Sequence, residues 1–116
     1  MDVKTFYAEI NGSYNDALAI MMNDVLIARM LGKFINGNSI DQMIALYENK
    51  DFRGLFAAAH SLKGVAGNLA LTPIFDLASF ITEATRNDDN VNLDKEIAEL
   101  KNLNERLKES YSKYIA

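Results

Sequence analysis

A chain of 116 residues, 49% apolar and 24% charged, has the size and composition of one soluble domain with its own hydrophobic core. Its formal net charge of -4 runs against the basic surface expected of a nucleic-acid binder. With no cysteine there is no disulfide or thiolate metal site, and the single histidine, His60, excludes a multi-histidine metal centre and leaves one candidate for imidazole chemistry.

The opening MDVKTFYAEI lacks the charged lead and apolar run of a signal peptide. No stretch approaches the ~20 apolar residues of a membrane span. A cytoplasmic protein is expected. Val3, Phe6, Tyr7 and Ile10 predict a short amphipathic piece, closed by the turn signal Asn11-Gly12-Ser13. Ser13, with Asp16 in the first turn, caps a short helix over residues 14–20, and Asn23-Asp24 offers the next cap. Ile27, Met30, Leu31 and Phe34 recur at helical spacing to about residue 35, although Gly32 inside this helix costs roughly 1 kcal/mol relative to alanine. Asn36-Gly37-Asn38 breaks the helix, with Gly37 suited to a left-handed cap.

Ser39 and Gln42 have capping-box spacing ahead of a helix carrying Ile40, Met43, Ile44 and Tyr47 to about residue 50. Asp51 caps the helix that contains His60 and runs to about residue 70. Thr72 as cap and Pro73 in the first turn open another, lined by Ile74, Leu77, Ala78, Ile81 and Thr85 to about residue 86. Residues 87–90 read as a polar loop, and Asn92 caps a last helix. There Leu93, Ile97, Leu100, Leu103, Leu107, Tyr111 and Tyr114 keep a 3–4 spacing, with Asn104 the one polar interruption. No stretch alternates like a strand, and no linker or repeat divides the chain. The expected fold is all-α in a single domain, 1–116. Short N-terminal helices over about residues 1–36 pack on the end or side of an antiparallel four-helix bundle over about residues 39–115.

The helix around His60 has two faces. At about 100° per residue, Leu55, Ala58, Leu62, Val65, Ala66 and Leu69 form one apolar stripe. His60 points the other way, together with Arg53, Phe56, Lys63, Gly64 and Gly67. Each helix-interior glycine costs roughly 0.5–1 kcal/mol against alanine. Because both share the histidine's face, helix packing does not explain them, and clearance for a docking partner does. Lys63, one turn from His60, disfavours protonation of the imidazole and keeps a ring nitrogen nucleophilic. It would also neutralise a phosphoryl charge of about -2 placed there; its plainer reading is a solvated lysine. Arg53 is a weaker second cation or a solvated charge. Phe56 is either an exposed docking contact or a residue buried beneath an N-terminal helix.

Other chemistries fit poorly. Ser61 points about 100° away from His60, so the two are not a nucleophile and its base. Asp76 and Glu83, seven residues apart, read as solvated charges rather than a glycosidase pair. Glycine-rich phosphate loop, Walker motif and kinase signature are all missing from the sequence, which therefore shows no ATP site and no autonomous catalytic machinery. Any phosphoryl group would come from, and return to, another protein.

Ala59-His60-Ser61-Leu62-Lys63-Gly64, followed by Ala66-Gly67-Asn68-Leu69, closely resembles the signature of the histidine-containing phosphotransfer (HPt) family, commonly AH-T/S-LKG-xx-A/G-NLG. Asp51 and Leu55 stand at the family's usual acidic and leucine positions. Leu18, Asp24 and Leu31-x-x-Phe34 look like its leading segment, and residues 77–86 resemble its next helix. Two departures stand out. Ala70 replaces a frequent glycine, so the helix would end differently or run longer. Ile81-Thr82, followed by Glu83, replaces a common Leu-Glu pair, which leaves the partner of the second His60 ring nitrogen unassigned.

The resemblance implies a phosphocarrier in a multistep two-component phosphorelay, not an enzyme. His60 would be the phosphorylated nucleophile, attacking through Nε2, with Lys63 stabilising the phosphoryl group. Gly64 and Gly67 would give clearance, and Arg53 and Phe56 a docking surface. It also implies no metal or cofactor in this chain, the Mg2+ belonging to the partner. That partner would be a response-regulator receiver domain or a hybrid histidine kinase, with no nucleic acid, no membrane and a monomeric carrier. Three rivals remain: a receiver-docking module that carries no phosphate, a structural helical bundle, and the substrate domain of a histidine kinase. The pairing of His60 with Lys63 argues against the first and the two glycines against the second. With no kinase partner in the sequence, a free-standing carrier is preferred to the third.

Overall fold

The computed structural model describes residues 1–87 and 90–116, so the middle of the expected polar loop lies outside the described residues. Those described form seven helices and no strand: α1 (Val3–Glu9), α2 (Tyr14–Met21), α3 (Asp24–Asn36), α4 (Ser39–Glu48), α5 (Phe52–Asn68), α6 (Thr72–Thr85) and α7 (Asp94–Tyr114). None is long and apolar enough to cross a membrane.

Four helices start as their cap residues dictate. Asp2, Ser13, Asn23 and Asp51 each accept the backbone N–H three residues on, from Thr5, Asp16, Leu26 and Gly54. The others depart from expectation. No capping box forms at Ser39: the N-cap is Asn38, left-handed at φ 57° with no side-chain cap bond, and Gln42 Nε2 donates to the Gly37 carbonyl at 3.3 Å. Gly37 itself is right-handed at φ -75°, since asparagine also tolerates the left-handed region and takes that role here. Thr72 lies inside α6, whose N-cap is Leu71; Pro73 in the first turn removes one of the donors that a capping side chain would have satisfied. α7 begins at Asp94, its N–H held by Asn92 Oδ1 at 3.0 Å. α5 stops at Asn68, and the turn is made by Ala70 at φ 53°. A Cβ in that region costs about 1–2 kcal/mol, which accounts for the glycine of the family signature at this position.

From Ser39 onward the helices close a ring: α5 packs on α4 and α6, and α7 packs on both α4 and α6. Side-chain pairs give their directions. Across α5 and α6, Gly67 lies by Phe75 and Phe56 by Arg86. Across α4 and α7, Asp41 meets Asn104 and Lys108, while Tyr47 meets Asp94. Numbers rise on one helix as they fall on its neighbour, so both pairs are antiparallel. Asn104, the interruption of the α7 seam, is 8% exposed and donates to Asp41 Oδ1 at 3.1 Å. On α5 the buried residues are Leu55, Ala59, Leu62 and Ala66, while Ala58 is only half-buried and Val65 is 39% exposed.

The N-terminal helices cap the end where α5 stops and α7 finishes. Tyr7 Oη donates to the Leu69 carbonyl at 2.6 Å, Ser13 N–H to the Ala70 carbonyl at 3.0 Å, and Asp2 N–H to the Tyr114 carbonyl at 2.8 Å. The first two satisfy carbonyls that the end of α5 leaves without helical partners. Gly32 is explained here too, because a Cβ on it would lie 2.7 Å from Tyr111 Oη. At the other end Tyr47 Oη donates to Asp94 Oδ1 at 2.6 Å and accepts the Leu93 N–H at 2.8 Å.

Burial pushes the Tyr7 phenol up, so it remains a donor throughout the neutral range. Tyr7→Phe should cost about 1–3 kcal/mol by stranding a buried carbonyl. Urea unfolding checks this: the midpoint should fall with its slope unchanged.

Candidate functional site

α5 is divided lengthwise between core and solvent. Leu55, Ala59, Leu62 and Ala66 face inward, whereas Arg53, Ala57, His60, Ser61 and Gly64 are exposed. His60 sits in mid-helix, so the imidazole projects from a backbone whose hydrogen bonds are complete on both sides. One turn earlier, the Phe56 ring lies nearly parallel to it, with centroids 6.1 Å apart and planes 8° apart, an offset stack.

Phe56 is half-buried, and the N-terminal helices pack mainly on one another and on α7. The Arg86 guanidinium from α6 lies 5.5 Å from the ring centroid. Arg86 is gripped in turn by Glu83, through bonds of 2.7 Å and 3.1 Å to its two carboxylate oxygens. The bond from Arg86 and then its charge hold the Glu83 carboxyl below its ordinary value, and Lys63 lowers it further. The same pairing pushes Arg86 up. Glu83 is thus exposed but engaged, a correction to its reading as a plain solvated charge.

The two glycines part company. A Cβ on Gly64 would meet nothing within 4 Å, so that position opens onto free space beside His60. A Cβ on Gly67 would stand 3.3 Å from two atoms of the Phe75 ring. The missing side chain at Gly67 therefore makes room for α6, which corrects the expectation that both glycines serve only a docking partner. The wheel places Gly67 on the histidine's side but cannot say how far α6 wraps around it.

The structure thus gathers His60, Phe56, Lys63 and Gly64 along one side of α5, with Arg53 exposed a turn before Phe56. To these it adds Glu83 and Arg86, which the sequence reading did not place at the site. Their i, i+3 spacing was a legible ion pair. Counting the antiparallel register back from the short turn after α5 would have set residue 86 opposite residue 56. Among the described residues, no group of three or more histidine or acidic side chains is arranged to hold a metal ion.

A family model described as Hpt domain matches residues 30–110, well over half of the chain. The protein belongs to the Hpt domain family: helical phosphotransfer modules of two-component systems, which interact with receiver domains and histidine kinases. The match begins inside α3 and takes in α4, α5, α6 and most of α7. No curated protein and no solved structure matches significantly.

Alanine at each glycine separates open space from packing. Gly64→Ala should stabilise the fold by about 0.5–1 kcal/mol through helix propensity alone. Gly67→Ala should gain less or lose, because Phe75 must give way. Paired urea titrations of the two variants read the difference directly.

Proposed function

We propose that this protein is a phosphocarrier in a multistep two-component phosphorelay. His60 takes a phosphoryl group from the phospho-aspartate of one receiver domain and passes it to the aspartate of another. The observation that carries this reading is an exposed imidazole beside open space at Gly64, inside the region that matches the Hpt domain.

The chemistry follows from what each partner brings. The Nε2 lone pair of neutral His60 attacks phosphorus; an N–P bond forms as the P–O bond to the donor aspartate breaks, and the carboxylate leaves. Onward transfer reverses the step, with the acceptor carboxylate attacking and the imidazole leaving. The receiver contributes Mg2+ and the acidic pocket. This chain contributes a nucleophile on the side of a rigid helix, which a concave pocket can enclose. Phe56 limits the tilt of the imidazole by stacking, and Lys63 offers an ammonium to the transferred group. The absent side chain at Gly64 lets the pocket close, and Arg53 extends the charged surface the receiver meets. Because the exposed site stands on one copy of the chain, a cytoplasmic monomer suffices.

Incubation with a phosphorylated receiver and Mg2+ should place label on the wild type as an acid-labile, alkali-stable adduct. His60→Gln should take none, and undiminished transfer to that variant would refute the assignment. Gly64→Leu should unfold cooperatively like the wild type yet accept label at least about tenfold more slowly, since small misplacements of reacting atoms carry large rate penalties.

A further inference from the structure

The Arg86 guanidinium is already engaged before any phosphoryl group arrives. Arg86 holds both carboxylate oxygens of Glu83 and lies over Phe56, whose ring stacks on His60. Lys63, one turn from His60 on α5, adds only a weaker through-space attraction to the same carboxylate. A chain of contacts therefore runs from the Glu83 carboxylate through Arg86 and Phe56 to the imidazole, across two helices.

Resting on the phosphocarrier reading, we infer that Glu83 is a resident competitor of the phosphoryl group. It holds Arg86 while His60 is bare and yields it when His60 is phosphorylated. A phosphoryl group brings about two negative charges and three strong acceptor oxygens, enough to draw a guanidinium from a carboxylate. The pair is exposed, at 51% and 62% for the Arg86 and Glu83 side chains, so water screens it and its rupture is easy. The consequence is a moderated phosphohistidine. Part of what Arg86 gives the phosphoryl group is offset by its release from Glu83, and the displaced carboxylate remains nearby as a like charge. The carrier is left able to pass its cargo onward instead of trapping it. Glu83 touches none of the reacting atoms and is a positioning residue, acting through Arg86.

The test lets a receiver domain, present in catalytic amount with Mg2+, equilibrate phosphoryl groups between wild-type protein and a variant. Glu83→Gln should hold about two- to fivefold more label than the wild type, the scale of an exposed ion pair. Glu83→Asp should return toward parity, and Arg86→Ala should hold less. In a wild type loaded with phosphoramidate, 13C titration of the Glu83 carboxyl should move up toward its ordinary value as Arg86 departs. Equal partition of label between wild type and Glu83→Gln, with an unmoved Glu83 titration, would reduce the pair to surface decoration and overturn the inference. Absence of label on His60 from either donor would instead overturn the phosphocarrier reading, and this inference with it.

Discussion

The contact between α5 and α6 is the constraint on which the site depends. It is the most extensive helix pairing among the described residues, and it is made close by Gly67, against which Phe75 lies at one end. At the other end the same register brings Arg86 over Phe56. Sliding α6 by one residue would turn its side chains by about 100°, carrying Glu83 and Arg86 away from the histidine's flank. One packing interaction thus decides both that α5 has a covered side and which charges stand beside its bare side. The open space at Gly64 and the crowding at Gly67 are two ends of one geometry.

Both ends of the bundle are tied by hydrogen bonds to backbone groups that would otherwise be unpaired. Tyr7 and the Ser13 amide close the end of α5, and Tyr47 clamps the start of α7. The helix that carries His60 is therefore held from its cap at Asp51 to its last carbonyls, and the imidazole rides on a fixed support. That rigidity matters because the proposed reaction is completed by the partner. A nucleophile offered on a convex surface contributes through placement, and placement is only as good as the scaffold beneath it.

Much of this was legible in the chain because it is local. The 3.6-residue period located the helices, Ser13, Asn23 and Asp51 announced their starts, and His60 was assigned to the outer side. Errors arose where alternatives differ by little energy. Asn38 and Gly37 can each make the left-handed turn, and Leu71 rather than Thr72 begins α6 once Pro73 has removed a donor. The larger misses were not local at all. That Phe75 occupies the space at Gly67, and that Arg86 covers Phe56, follows from how one helix lies on another. The pattern of α5 alone carries no record of that. At Ala70 the reading erred the other way: alanine was expected to alter or lengthen the helix end, yet α5 stops at Asn68 and Ala70 itself turns left-handed.

The central claim is that a receiver meets this protein along the bare side of α5, around His60. Amide shift mapping of the 15N-labelled protein, titrated with a receiver domain held in its phosphorylated form by beryllofluoride, tests that most directly. Perturbations should centre on residues 53–64 and extend to 83–86 of α6, leaving the α4–α7 seam at Asp41 and Lys108 unchanged. Binding that perturbs the α4–α7 seam and leaves the neighbours of His60 untouched would contradict the account.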